Sequence, residues 1–361
     1  MTELDPYSQV SAAPTSDAEV TARFIRMASS LRSGGWAASA PSPEYIQLIL
    51  AAVRGRANRQ WVLDDDSSER GLATGCLSHA PDLDCGLLGL FEVRQDMLGL
   101  EAGARILEEA ARTAKAWGVS RIFAPVDGNT VFNYRLQTEN PSELRSHARS
   151  WEPLHPPHIL PLLERQGFRP VEEYVTRGFD FSACRRDKLQ LILDQTGRGF
   201  RAALEKGFLF TSISTPTEAK SGLEKIGQLN ERCFRDSFLY EPVPAALFLK
   251  YYEKISQKVD YRYTWLCQDS TGALAGYVFA FREGSSLIIK TVAVDPRFRS
   301  QKLSSALIHL SIEKAFSSGL NEVVSALVRE GNTSEFLSER DLPEKSRVWT
   351  HRYSLFGKPL P

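Results

Sequence analysis

The sequence predicts a mixed α/β fold made from two copies of one unit, and three observations carry that prediction. A strand ending at Val93 is followed by a helix stopping at Gly118, and a strand ending at Val294 by a helix stopping at Gly319, so the separation is 25 residues in each half. Each helix leads into a further strand, Arg121–Pro125 in the first half and Glu322–Val328 in the second. Each of those strands is followed by the same tripeptide, Gly128-Asn129-Thr130 and Gly331-Asn332-Thr333. Three matches in one order indicate an internal repeat. Each half then holds a strand–helix–strand crossover that buries a helix face on a sheet. At 361 residues the chain is also too long for one ordinary core.

Residues 1–16 are polar and irregular and read as a tail. Helical periodicity runs from Asp17 to Leu31, and after the Gly/Pro/Ser stretch Ser33–Pro43 it resumes over Glu44–Val53. Arg59–Leu63, Gly71–Ser78 and Leu87–Val93 are short strands between acidic or Gly/Pro turns. A helix over Gly99–Trp117 follows, then the strand Arg121–Pro125. An irregular stretch reaches Pro157, ahead of a short helix His158–Gln166 and a strand Tyr174–Phe181. This first unit spans 17–182. Residues 183–207 are charged, helical in tendency, and read as a connector. The second unit, 208–361, holds the strand Phe208–Ile213 and the helices Pro216–Phe234 and Pro244–Ser256. Strands Tyr263–Gln268, Leu274–Arg282 and Ser286–Val294 come next, then a helix Gln301–Ser317, the strand Glu322–Val328, a short helix after Asn332 and a strand Val348–Leu355.

Composition narrows the function. Lys+Arg and Asp+Glu are both 44, and zero net charge argues against a nucleic-acid binder driven by a basic surface. No apolar run is long enough to cross a bilayer, and the first residues lack the pattern of a signal peptide, so a cytoplasmic location is expected. The five cysteines are scattered without a Cys-x-x-Cys, which reads as reduced thiols. His155-Pro-Pro-His158 has no ligand-rich surroundings, and no metal site is expected.

The chemistry lies after Val294. A buried strand closes at Pro296, and Arg297-Phe298-Arg299-Ser300-Gln301-Lys302-Leu303-Ser304 leads into a helix whose apolar face is Leu303, Ala306, Leu307 and Leu310. A strand, a short turn and a helix start make an anion site. The first-turn amides have no intrahelical acceptor, and the helix dipole places positive charge there. Arg297, Arg299 and Lys302 add formal charge.

Residues Val292–Ile308 resemble the acyl-CoA-binding motif of the GNAT acyltransferase superfamily: strand, x-Pro-x-x-Arg/Gln-x-x-Gly-x-Gly/Ala, helix. Arg299 matches the Arg/Gln, and Lys302 and Ser304 occupy the two small positions. With Arg329–Ser334 and Arg352–Gly357 in the second half, and Gly89–Glu92, Ala124–Thr130, Asn133–Arg135 and Glu152–Pro157 in the first, the chain resembles a two-copy branch of that superfamily over about residues 45–360. The resemblance implies, for each unit, a mostly antiparallel central sheet flanked by helices. It implies acetyl-CoA or another acyl-CoA as cofactor. The backbone of Val292, Ala293 and Val294 would face the pantetheine arm. The turn Arg299, Ser300, Gln301, Lys302, Leu303 and Ser304 would bind pyrophosphate, and Asn332 would contact the arm. Acyl transfer to a small-molecule or peptide amine, or to a hydroxyl, would be direct.

Relatives often carry a Tyr on the helix after the Asn, but seven residues beyond Asn332 this chain has Glu339. Tyr353 is the substitute candidate acid. Glu241, in the Phe238–Pro242 loop, and Glu92, at a strand end, are candidate bases. Tyr240 in the same loop, and Tyr134 and Arg135 in the long irregular stretch, are candidate acceptor contacts. At the first-half counterparts of Arg299, Lys302 and Ser304 stand Leu98, Glu101 and Gly103. A carboxylate where phosphate charge would gather repels it, so the first unit is expected to hold no CoA. Three functions are compatible with this reading: an acyltransferase for small molecules, an acyl-CoA sensor without turnover, and a peptide or protein N-acyltransferase.

Overall fold

A computed structural model describes residues 11–13, 18–65, 70–139, 149, 151–182, 186–256, 259–331 and 347–361. In chain order the elements are β1 Ser11–Ala13, α1 Ala18–Ala28, α2 Pro43–Ala52, β2 Asn58–Asp65, β3 Arg70–Ala80, β4 Cys85–Val93, α3 Met97–Ala116, β5 Arg121–Ala124 and β6 Leu136–Gln137. They continue as α4 Ile159–Arg165, β7 Arg169–Asp180, α5 Arg186–Glu205, β8 Leu209–Ser212, α6 Pro216–Phe234, α7 Ala245–Ser256, β9 Trp265–Gln268, β10 Leu274–Glu283, β11 Ser286–Val294, α8 Leu303–Ser317, β12 Glu322–Arg329 and β13 Arg347–Pro359.

Local signals set the helix ends. Ser42 caps α2, its hydroxyl accepting from Tyr45 N at 3.2 Å with Pro43 in the first turn. The Asp96 carboxylate accepts from Gly99 N at 2.8 Å to start α3. Thr215 and Glu218 form a full capping box on α6. Gly118 and Gly319 end the repeat's two crossover helices with φ of 80° and 78°, a region open to glycine at no steric cost.

The chain forms two compact units: Met1–Glu173 with Arg352–Pro361, and Tyr174–His351. In the first unit the strand order is β1-β2-β3-β4-β5, with the end of β13 beside β5. All pairings are antiparallel except β4 with β5. Its core joins Trp61, Leu77, Leu88, Phe91, Ile106 and Phe168 under α3 and α4. In the second unit the order is β7-β12-β11-β10-β9-β8, and again only one pair, β11 with β12, is parallel. Its core joins Phe179, Ile192, Val278, Leu287, Leu307 and Ile312 under α5 and α8. Each unit therefore has a mostly antiparallel sheet with one parallel pair where the crossover helix returns.

The units are cut elsewhere than the sequence suggested. The expected connector 183–207 is mostly α5, and α5 is part of the second unit. Its Gly197 and Gly199 let it press on α8, where a Cβ at Gly199 would lie 2.9 Å from Ser305 Cβ. Residues 174–182 fall in the second unit, where Tyr174–Asp180 pair antiparallel with β12. The last ten residues fall in the first. Phe356, Gly357, Lys358 and Pro359 pair with Ala124, Phe123, Ile122 and Arg121, and Phe356 is buried. The first 11–13 strand, the 3-10 turn Gly34–Ser39 and β6 were not foreseen, and the short helix expected after Asn332 lies outside the described residues. Phe356→Ala should destabilise the first unit by about 3–5 kcal/mol, the usual cost of emptying a buried Phe site. Urea unfolding followed by hydrogen exchange in α3 checks this, and wild-type protection there would contradict the placement of the last strand.

Candidate cofactor site in the second unit and its closed counterpart

The site begins where two parallel strands part. β11 and β12 stay in register from Ser286–Glu322 to Ile289–Ser325 and no further. Beyond that point β12 keeps to β7, with Val328 opposite Val175 and Arg329 opposite Tyr174. Thr291–Val294 keep to β10. Among the described residues, the edge of Thr291, Val292, Ala293 and Val294 that would face β12 therefore has no ladder partner, and the two strands part in a wedge. Val294 then enters a 3-10 turn, Pro296–Gln301, and α8 starts at Leu303. The first backbone bond at the start of α8 runs from Ala306 N to Lys302 O at 3.2 Å. The amides of Leu303, Ser304 and Ser305 precede it, at the positive end of a four-turn helix.

Lys302 joins turn to helix with φ 60° and ψ 23°. This left-handed geometry costs a side-chain-bearing residue about 1–2 kcal/mol. It is the physical reason a glycine suits this position, and the lysine meets the same backbone demand with strain.

The turn is tied down from three sides. Asp295, 1 % exposed, accepts from Arg297 N at 3.1 Å and from the Arg297 guanidinium through Nε and Nη2, both at 3.0 Å. Arg232 Nε of α6 donates to the same carboxylate at 3.0 Å. The bonds from Arg297, opposed by burial and aided by Arg232, hold the Asp295 carboxyl well below the usual carboxylate range. Phe298 packs edge-on against Phe208, centroids 5.5 Å apart. Lys206 Nζ donates to Gln301 Oε1 at 2.5 Å. Arg297 is thus committed to Asp295, while Arg299, Ser300, Lys302 and Ser304 are exposed and Gln301 is half-buried. Arg299 Nη2 makes a long 3.4 Å bond to Cys233 O. Leu303 is buried and anchors the helix start, and Val292 and Val294 are half-buried around buried Ala293. Asn332 lies outside the described residues.

The first unit has the same parting and fills it. β4 and β5 pair only from Cys85–Arg121 to Leu87–Phe123. Past that, Val126 N donates to Leu88 O at 2.8 Å, and Leu90 N donates to Asp127 Oδ1 at 2.7 Å. Tyr45 Oη donates to Asp127 Oδ2 at 2.8 Å. The chain approaches so closely that a Cβ on Gly89 would lie 2.2 Å from Val126 O. In the 25-residue frame the counterpart of Gly89 is Lys290, and the residue matching Asp127, ahead of the second Gly-Asn-Thr, is Glu330, which is exposed. A lysine at the Gly89 position would bar the approach that closes the first wedge.

The remaining candidates separate by unit. Glu92 is 4 % exposed and engaged by Arg32, Nε to Oε2 and Nη2 to Oε1 both at 2.7 Å. Burial raises its carboxyl pKa against the opposing pull of Arg32. Arg32 also donates to Ser39 O at 2.6 Å and Leu154 O at 2.5 Å, which makes this a buried structural hub. Tyr353 is 1 % exposed in the first unit, and its hydroxyl donates to Glu152. Both candidate groups, Glu92 as base and Tyr353 as acid, are thus buried and engaged by a partner within the first unit. Tyr134 and Arg135 stack on one another, guanidinium 3.9 Å from the ring centroid, also in the first unit. Tyr240 and Glu241 alone lie in the unit with the open wedge. Tyr240 is half-buried, its hydroxyl pKa raised by burial and by Glu231, and Glu241 is 5 % exposed. His155 is pushed down to about 3 by burial and the Arg32 charge, so it is neutral near pH 7. Among the described residues no three His, Cys, Asp or Glu gather to hold a metal, and no helix is long and apolar enough to cross a membrane.

Sequence reasoning missed Asp127, Arg32, Asp295 and Arg232. Asp127 was within sight, because it directly precedes the first Gly-Asn-Thr. The partners of Arg32 and Arg232 lie 60 and 63 residues away, and no local pattern points to them.

Burial pushes the Asp127 carboxyl up to about 6, against the bonds from Leu90 and Tyr45 that lower it. The folded state then holds its proton more tightly than the unfolded chain. The resulting stability is present below about pH 4 and is lost as pH rises through about 6. Asp127→Asn should flatten that part of the stability–pH curve in urea unfolding, and an unchanged slope would contradict the assignment.

Residues 223–335 match the profile of the acetyltransferase (GNAT) family. No curated protein matches the chain. A tandem GNAT protein from the clavulanic acid biosynthesis pathway superposes with TM-score 0.52 at 14% identity, covering 98% of each chain. A conserved protein of Enterococcus faecalis V583, a probable N-acyltransferase, gives 0.54 at 9% identity over 98% of this chain and 72% of that one. A fungal multi-domain β-N-acetylglucosaminidase with a glucosamine N-acetyltransferase region gives 0.53 at 13% identity over 98% of this chain, which spans only 38% of its length. At these identities the likeness is one of fold. Residues 223–335 are thus similar to the acetyltransferase (GNAT) family, and the chain as a whole has the fold of a tandem GNAT protein, two GNAT-like units in one polypeptide.

Proposed function

We propose that the protein transfers an acyl group from acetyl-CoA or another acyl-CoA to an amine, with the cofactor held in the second unit alone. One observation carries the reading: the β11–β12 ladder ends at Ile289–Ser325, and the parted end of β11 leads straight into the Pro296–Gln301 turn and the start of α8. A wedge of strand backbone suits the amide groups of a pantetheine arm, and a cationic helix start suits a pyrophosphate. The family match spans this segment. Two fold neighbours, a probable N-acyltransferase and a protein with a glucosamine N-acetyltransferase region, favour nitrogen as the acceptor.

In such a site the amine lone pair attacks the thioester carbonyl, the C–S bond breaks and CoA leaves as a thiolate. An amide of the parted strand would polarise the carbonyl oxygen, and holding both reactants together would supply much of the rate. Glu241 is the candidate to take the amine proton, directly or through water, and Tyr240 the candidate acceptor contact. A second reading, acyl-CoA sensing without turnover, is favoured by the structural engagement of Glu92 and Tyr353. It differs only in the chemical step.

Titration calorimetry with acetyl-CoA tests the cofactor. Wild-type protein should bind, more weakly as salt rises. Arg299→Ala should raise Kd about 10- to 100-fold, the worth of a hydrogen bond to a charged group. No heat with acetyl-CoA or any longer ester would overturn the proposal. Release of free thiol over a panel of amines then separates transfer from sensing.

A further inference from the structure

The last turn of α6 is joined to the turn after β11 by two contacts of unequal strength. Arg232 Nε meets the buried Asp295 carboxylate at 3.0 Å, a charge-assisted bond. One residue on, Cys233 O accepts from Arg299 Nη2 at 3.4 Å, a long bond to a neutral carbonyl on an exposed side chain. Higher on the same helix, Asn230 Oδ1 accepts from the buried Tyr277 hydroxyl at 2.6 Å, so the helix body is held to β10. Cys233 is the penultimate residue of α6, among the last carbonyls that lack an intrahelical donor. A cation there also complements the helix dipole. Arg299 is therefore a side-chain cap on the end of α6.

Beyond that end the chain runs on without a break into the loop 235–244. Ser237 N donates to Phe234 O at 2.8 Å, and Tyr240 N to Ser237 O at 3.0 Å. The loop carries Tyr240 and the buried Glu241.

We propose that Arg299 has two exclusive partners, the end of α6 and a cofactor phosphate, so that cofactor binding uncaps α6 and loosens the loop 235–244. This rests on the cofactor reading above. A phosphate oxygen forms a shorter and stronger bond with a guanidinium than a neutral carbonyl does. Arg299 has no reason to keep the 3.4 Å contact once an anion lies on the turn. Arg232 stays on Asp295, and this keeps the helix in place while the Cys233 carbonyl is freed. The loop then becomes mobile when the cofactor is seated, the stage at which an acceptor must enter beside it.

Hydrogen exchange of the full-length protein, read on peptides covering 235–244, tests this with free coenzyme A as the probe. Exchange in wild type should quicken on coenzyme A binding by about two- to fivefold, the worth of one neutral hydrogen bond. Arg299→Ala without ligand should already show that faster exchange, and coenzyme A at saturation should add nothing. Arg232→Ala, which leaves Arg299 in place, should keep the response. Binding by wild type, seen as a thermal shift, with no change in the loop would overturn this inference alone. So would ligand-free Arg299→Ala exchanging at the wild-type rate. A wild type that shows no thermal shift at any coenzyme A concentration would overturn the cofactor reading and this inference together.

Discussion

Two parallel strands that diverge leave backbone donors and acceptors with no neighbour, and a folded chain must supply partners for them. The rest of the architecture follows from how each unit meets that demand. In the first unit the answer is internal: Leu88 O takes Val126 N–H and Asp127 takes Leu90 N–H. In the second, Thr291–Val294 run past the end of their register with β12 and lead into the turn that starts α8. The two places differ in sequence, Gly89 and Asp127 in the first unit against Lys290 and Glu330 in the second. Gly89 lets the chain close to van der Waals overlap distance of a missing Cβ, and Lys290 at the matching place cannot.

The same two units share their sequence in an order that hides their boundaries. The repeat was legible because its marks are local: a helix stop 25 residues after a strand end, and a Gly-Asn-Thr after the next strand. Most elements followed from periodicity and capping, and α6 runs over Pro216–Phe234 as its Thr-Pro-x-Glu start suggests. The destination of the last strand was not legible. Phe356 pairs with Ala124, more than two hundred residues earlier, and nothing in the local pattern of 347–359 says which sheet it completes. α5 was read as a connector because its polar face is charged. Its packing depends on Gly197 and Gly199 meeting α8, a match that shows only once both helices are in place.

The candidate site divides the same way. Arg299 and the helix start at Leu303 were visible from the strand–turn–helix pattern, and the structure gives Lys302 the left-handed conformation for which glycine is the easier residue. The turn's real keystone, Asp295, looked like an ordinary residue before a proline. Its role depends on Arg232, brought from α6 by the fold. Glu92 and Tyr353 were singled out from the sequence one by one, and the fold buries each against a partner, Arg32 and Glu152, that no local pattern shows. Removing one member of the buried Arg32–Glu92 ion pair would leave an uncompensated charge, at a cost of about 3–5 kcal/mol.

The central claim is that one wedge is open and the other closed by its own chain. Counting acetyl-CoA sites on the full-length protein by titration calorimetry, with hydrogen exchange to locate them, tests it most directly. A single site per chain is expected, with ligand protection over 290–305 and none over 89–104. Two sites, or protection confined to 89–104, would contradict it.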